Sequence, residues 1–119
     1  MSSPSTSLIQ DATPVGRPAI APSLSVVIAS INGWEMLEPT LRALDAQPER
    51  SRMEVIVIEA AGGETRRRLL DHRPKVEVIA VDEKLTIPAL RHKGVIRARG
   101  DLVAILEPIP HHLNVGAGV

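Results

Sequence analysis

The chain has 119 residues, about the size of one domain, and its lysines and arginines balance its aspartates and glutamates at 14 each. A net charge of zero excludes bulk electrostatic binding of nucleic acid, and the absence of cysteine excludes disulfide scaffolds, thiolate zinc sites and cysteine nucleophiles. With 1% aromatic residues, a surface that stacks nucleobases on several rings is excluded as well.

Residues 1–22 predict a disordered tail, because this serine- and proline-rich stretch cannot bury enough apolar surface to offset its ordering entropy. The tail lacks the basic start and apolar centre of a secretory signal. No apolar run in the sequence approaches the ~18 residues of a membrane span. We therefore expect a cytoplasmic protein with no transmembrane segment and no nucleic-acid partner.

The next part of the chain predicts a strand, a helix and a second strand. The β-branched run 24–29 is typical of a buried strand, and the Asn-Gly pair at 32–33 predicts a turn after it. Leucines at helical spacing predict a helix over 34–46, which Pro39 should delay or kink because proline has no N–H. The run 53–58 predicts the second strand.

A short helix is predicted over 64–72, followed by a third strand over 76–81. In this helix Leu69 and Leu70 are expected to face inward. The run Arg66–Arg68 is expected to form a solvated face, with binding of acidic membranes or phosphate as the alternative.

Thr86 is expected to cap a third helix, which runs to about Arg99 and stops at Gly100. A fourth strand is predicted over 102–106. The helix residues expected to face inward are Leu90, Val95 and Ile96.

This alternation of strands and helices predicts an α/β domain over residues 23–107, followed by an irregular tail over 108–119. Near-continuous apolar strands joined by helices favour an open, mainly parallel Rossmann-like sheet with helices on both faces. Ligands of such sheets bind outside the carboxyl ends of the strands. An open sheet edge would also allow the chain to form a homo-oligomer.

Four loops at that carboxyl edge carry candidate site residues. They hold Ser30 and Asn32 after the first strand, Glu59 after the second, charged residues at 82–84 after the third and Glu107 after the fourth. The alternative interpretation is turn chemistry or surface charge, and for Glu59 a solvated carboxylate that stabilises the next helix N-terminus. Glycine-rich phosphate loops, dinucleotide fingerprints and nucleophile elbows are missing from the sequence, which disfavours those enzyme classes.

Taken in order, these segments resemble the first half of the family 2 glycosyltransferases, which have the GT-A fold. Residues 25–32 are similar to the family's first strand and its Pro-Thr/Ser-x-Asn turn, and 37–47 share its leucine-spaced helix ending in Gln. Residues 54–62 stand where the family has a strand ending in Asp-Asp-Gly-Ser. Segment 90–94 resembles Ala-Arg-Asn-x-Gly, and 107–109 occupies the Asp-x-Asp position.

The resemblance implies a nucleotide-sugar-binding domain that takes part in transfer of a sugar from a UDP- or GDP-sugar to an acceptor. Ser30 and Asn32 would then line the base and ribose, and Glu59 would read the base. Arg91 would lie near the diphosphate, and Glu107 would face the ribose and any metal.

The metal expected from the family, Mn²⁺ or Mg²⁺, is in doubt for this sequence. The third Asp-x-Asp position is Ile109, which cannot bind a hard cation. Glu107, His111 and His112 are weak candidates for replacement ligands, since imidazole suits softer metals better. The alternative is that both histidines are surface residues.

The sequence ends where the family's acceptor half would begin, so we expect the donor-binding half only, with the catalytic residues unknown. That half normally supplies the base that deprotonates the acceptor hydroxyl. Two alternatives therefore stay open: a catalytically inactive module that binds a nucleotide or nucleotide sugar, and a vestigial α/β domain without a ligand.

Overall fold

Four parallel strands form one sheet in the computed structural model, which describes residues 22–108. The strands are β1 (Leu24–Ser30), β2 (Met53–Glu59), β3 (Glu77–Ala80) and β4 (Leu102–Leu106). Their spatial order is β3-β2-β1-β4, and every adjacent pair is parallel. The predicted fold class, a parallel Rossmann-like α/β sheet, is confirmed.

Three α-helices connect the strands: α1 (Trp34–Asp45), α2 (Gly63–His72) and α3 (Ile87–Arg97). A 3₁₀ turn (Arg50–Arg52) that the sequence patterns did not indicate leads into β2. No helix in the described part of the chain is long and apolar enough to cross a membrane. The two predicted tails, 1–22 and 108–119, lie outside the described residues except for Pro22 and Pro108.

The helix starts show how capping acts here. The hydroxyl of Thr86 accepts a hydrogen bond from the N–H of Ala89 at 3.2 Å, as predicted, and Pro88 lies in the first turn where its missing N–H costs nothing. α1 starts at Trp34 and includes Pro39, so of the two effects expected from this proline, a late start or a kink, the late start is wrong.

Helices cover both faces of the sheet, as predicted. On one face, α1 and α2 pack Leu37, Leu41 and Leu69 against alternate residues of β1 and β2. On the other face, α3 packs Leu90 against the intervening residues. The core is aliphatic throughout, which fits the near absence of aromatic residues.

α3 lies unusually close to the sheet, because Gly94 is the residue that faces it. A Cβ built on Gly94 would stand 2.4 Å from Cγ1 of Val27 and 2.6 Å from Cδ1 of Ile58. This orientation turns Val95 and Ile96 to solvent, with 40% and 69% exposure, so the expectation that they face inward is wrong.

The expectation that Leu70 faces inward is also wrong, since its side chain is 69% exposed while that of its neighbour Leu69 is fully buried. Only one of two adjacent helical residues can point at the sheet, because successive side chains are about 100° apart around the axis.

A hydrogen-bonded network closes the amino end of the sheet around the buried carboxylate of Glu54. Its Oε1 accepts from the hydroxyl of Ser25 at 2.7 Å and from the N–H of Arg99 at 2.9 Å. Its Oε2 accepts from Nε of Arg99 at 2.7 Å. The N–H of Gly100 donates to Oγ of Ser25 at 2.8 Å, so the network joins β1, β2 and the connection from α3 to β4.

Candidate functional site

The carboxyl ends of all four strands lie along one edge of the sheet, which is where the candidate residues meet. Ser30 ends β1 and Glu59 ends β2, and these two residues are paired across the strands. Both side chains are buried, with 1% and 0% exposure. Oγ of Ser30 and Oε1 of Glu59 have no hydrogen-bond partner among the described residues. These two atoms are among the buried polar groups at this edge that a ligand could satisfy.

The carboxylate of Glu59 organises the loop that precedes α2. Its Oε2 accepts from the N–H of Gly62 at 2.9 Å and from the N–H of Ala61. The interpretation of Glu59 as a residue that supports the next helix start is therefore correct, but its carboxylate is buried rather than solvated. Because Oε1 is buried, a nucleobase could contact it only if loop 60–62 shifted.

Arg66 connects the ends of two strands. Its Nη2 donates to the carbonyl oxygen of Val81 at 2.9 Å and more weakly to that of Glu59 at 3.4 Å. Its Nη1 forms an ion pair with Asp82 at 2.8 Å. The expectation of a solvated face is wrong for Arg66, whereas Arg67 and Arg68 follow it by pairing with exposed Glu64 at 3.1 and 2.9 Å.

Sequence spacing holds a signal for Arg66 that was not used: it lies three residues before buried Leu69, and residues at this spacing share one side of a helix.

Arg91 and Glu107 lie on the other side of the edge, at the first turns of α3 and just after β4. Their side chains are 3.7 Å apart, from Nη2 to Oε1, and Nε of Arg91 is buried without a hydrogen-bond partner in the described residues. They line a small pocket together with Ser30 and Asn32. The structure thus brings together four of the five residues assigned to nucleotide-sugar binding.

A larger groove of about 630 Å³ opens beside this pocket, between the N-termini of α1 and α2. The two cavities share loop 31–33 in their linings, so they are neighbours along the edge. Gly33 and Gly62 immediately precede the two helices, with φ of 95° and 131°, a backbone conformation that favours glycine.

Trp34 lies at the groove and was not identified as a site residue from the sequence. Its ring centroid is 5.8 Å from that of His72, in a tilted arrangement. The sequence does hold a signal for Trp34. It directly follows the first candidate loop and is the only Trp, Tyr or Phe in the chain.

The donor set for a divalent metal is incomplete in the described residues. No three His, Asp or Glu side chains within 22–108 are close enough to hold an ion. Glu107 is engaged with Arg91, and Ile109 offers no ligand atom. The described residues therefore do not fit a hard cation. Candidates His111 and His112 lie outside them.

Comparison with known proteins identifies what this arrangement is similar to. The family model described as Glycosyl transferase family 2 matches residues 25–107. A search of curated protein sequences finds no match. Among solved structures, the fold is similar to that of the mannosyltransferase PcManGT from Pyrobaculum calidifontis in complex with GDP-Man and Mn²⁺, with a TM-score of 0.60 and 22% identity. The match covers 82% of this chain and 30% of that one.

Proposed function

The chain belongs to glycosyl transferase family 2, and on that basis we propose that it binds a nucleotide sugar at the carboxyl edge of its sheet and serves sugar transfer to an acceptor. The observation that carries the proposal is the convergence of Ser30, Asn32, Arg91 and Glu107 on one pocket that shares loop 31–33 with the larger groove. The presence of GDP-Man in the mannosyltransferase of similar fold supports this ligand class.

The groove has room for part of a nucleotide sugar, whereas the adjoining pocket of about 30 Å³ presents Arg91 beside the groove and does not enclose a diphosphate. The groove between α1 and α2 offers room for a nucleobase and ribose beside Asn32 and Trp34. Oε1 of Glu59 would accept from a base N–H only after loop 60–62 moves, because this atom is buried. The pocket at Arg91 offers a guanidinium to a diphosphate, because charged donors form the stronger hydrogen bonds with phosphate oxygens. A bound diphosphate would compete with Glu107 for this cation.

Transfer breaks the bond between the anomeric carbon and the diphosphate oxygen and forms a bond to an acceptor hydroxyl oxygen, whose proton passes to a base. Arg91 would stabilise the charge that develops on the departing diphosphate, as a preorganised cation does without reorganisation of solvent. We assign no step to a metal, since the described residues do not fit one.

Titration calorimetry of the full chain with UDP, GDP and the corresponding nucleotide sugars tests the proposal. We expect binding of at least one diphosphate, with an affinity that Mn²⁺ does not increase. Binding strengthened by Mn²⁺ would contradict the metal-independent part of the proposal and assign a ligand role to Glu107 with His111 or His112. Absence of binding by every nucleotide would overturn the proposal as a whole.

Replacing Arg91 by methionine is expected to weaken binding of the nucleoside diphosphate about tenfold, because one charge-assisted contact is lost. Binding of the nucleoside without phosphates should not change, which separates a diphosphate contact from general damage. Arg42→Met is the matched control, since exposed Arg42 pairs with Glu38 on α1 and lines neither cavity. Equal losses for nucleoside and diphosphate would place the diphosphate elsewhere.

A second candidate function is nucleotide-sugar binding without transfer. The observation that favours it is the chain's incomplete metal donor set within the described residues, with Ile109 at the third motif position. Release of free UDP or GDP from the nucleotide sugar, followed over hours with a coupled assay, distinguishes the two. Release above the rate without protein supports the transferase, and tight binding without release supports the binding module.

A further inference from the structure

Arg66 joins the carboxyl ends of β2 and β3 from the first half of α2. Its Nη2 donates to the carbonyl oxygens of Val81 at 2.9 Å and Glu59 at 3.4 Å, and its Nη1 forms the ion pair with Asp82 at 2.8 Å. The N–H of Val81 donates to the carbonyl of Glu59 at 2.9 Å, so all three chain segments meet at the end of β2. The Arg66 side chain is 24% exposed, which limits competition from water for these contacts.

Glu59 connects these contacts to the groove between α1 and α2. Its backbone carbonyl accepts the hydrogen bonds just described, and its Oε2 accepts from the N–H groups of Ala61 and Gly62. Ala61 lines the groove, whereas Arg66 lines neither the groove nor the adjoining pocket. Loss of the Arg66 contacts would therefore change the shape of the groove without removing a group that a ligand touches there.

A guanidinium suits this position better than any other side chain. Its planar fork directs donors at the carbonyls of two strands and at a carboxylate at once, which a single ammonium or a thioether cannot do. β3 is an outer strand of the described sheet and has four residues, all paired with β2. Contacts from α2 therefore add to a short pairing at the place where the loops of the site begin.

We propose that Arg66 is a positioning residue of the nucleotide-sugar site, which through Glu59 sets the position of loop 60–62 and so the shape of the groove for the nucleobase and ribose. The inference rests on the proposed function, since it assigns Arg66 an effect on ligand affinity. Such support matters because binding groups must be held within about 0.5 Å of their productive positions. Arg66 thus differs from Arg91, which is expected to contact the diphosphate itself.

Arg66→Met is expected to weaken binding of a nucleoside and of its diphosphate by the same factor, about tenfold. Titration calorimetry with guanosine, GDP, uridine and UDP measures both affinities. Base and ribose contacts are common to the two ligands, so the factor should not depend on the phosphates, in contrast to Arg91→Met. Arg42→Met should bind as the original chain does, since Arg42 lines neither cavity.

Arg66→Lys is the second variant. It keeps a positive charge beside Asp82 but loses the planar fork that reaches both carbonyls, so it should lose affinity in the same way. Full affinity in Arg66→Lys would overturn the inference, because a charge alone would then suffice.

Hydrogen exchange of the chain without ligand supplies an independent measurement. In both Arg66 variants the amides of Ala61, Gly62 and Val81 should exchange faster, while that of Ile28 on the central strand stays protected and shows that the variant is folded. Unchanged exchange at the first three amides would overturn the inference.

The binding results separate this inference from the proposed function. If the original chain binds nucleotides and the folded Arg66 variants bind them equally well, or lose affinity for the diphosphate alone, the positioning role is overturned and the proposed function stands. If the original chain binds no nucleotide, both are overturned.

Discussion

Replacing Gly94 by valine is expected to lower the free energy of unfolding by about 3 kcal/mol or more. The first added carbon would already stand 2.4 Å from Cγ1 of Val27, a stiff β-branched side chain on the central strand. α3 must then move away from the sheet and loosen the packing of Leu90. Urea denaturation followed by circular dichroism measures the loss.

Two further glycine variants serve as comparisons for Gly94→Val. Gly94→Ala should lose about 1–3 kcal/mol, because overpacking exceeds the gain of about 1 kcal/mol in helix propensity. Gly63→Ala is the control, since no atom lies within 4 Å of the position that an added Cβ would take and the residue starts α2. It should leave stability unchanged or raise it. A Gly94→Val protein as stable as the original would show that α3 does not pack as closely as described.

Loss of the Glu54 charge is expected to have an effect of similar size, about 2–4 kcal/mol in Glu54→Gln. The amide keeps the shape of the side chain, but its NH₂ group would face the guanidinium of Arg99 where an acceptor is needed. Arg99 would then lose its buried partner. Glu64→Gln is the control, because Glu64 pairs with Arg67 and Arg68 at the exposed surface, and it should change stability little.

The pH dependence of stability gives a separate test of the same network. Burial raises the pKa of Glu54, but the hydrogen bonds from Arg99 and Ser25 and the charge of Arg99 together hold it below its usual value. The folded state therefore binds a proton less readily than the unfolded chain. The stabilisation is present above the unfolded pKa of about 4.3 and is lost as the pH falls through the lower folded pKa.

Urea midpoints between pH 7 and pH 3 should accordingly fall more steeply for the original chain than for Glu54→Gln. Equal slopes for the two proteins would contradict the assignment of this carboxylate as the buried acceptor of Arg99.

The order and type of the elements could be predicted because each strand is a near-continuous apolar run with glycine or proline in the connections around it. Burial on the two faces of a helix was harder to predict where two apolar residues are adjacent. The leucine pair at 69–70 and the pair Val95–Ile96 both satisfy helical spacing, and only the packing decides which residue points inward. For α3 the decision comes from Gly94, whose missing side chain no hydrophobic pattern registers.

The sequence predicted those candidate residues whose position depends only on where a strand ends. Ser30, Glu59 and Glu107 follow apolar runs, and parallel strands bring such residues to one edge. What each carboxylate contacts depends on loop geometry and neighbouring helices. Glu59 turned out to bind its own loop, and Arg66 reached the strand ends from a turn where its neighbours did not.

The central position of β1 has a consequence for the order in which the chain can fold during synthesis. β1 pairs with β2 soon after both have left the ribosome, but its other edge waits for β4, since Ser25 pairs with Val103. Glu54 likewise meets the guanidinium of Arg99 only 45 residues later in the chain. Nascent chains that end before residue 99 therefore leave one side of the central strand β1 unpaired and the carboxylate of Glu54 without its guanidinium, and such incompletely packed states are prone to aggregate.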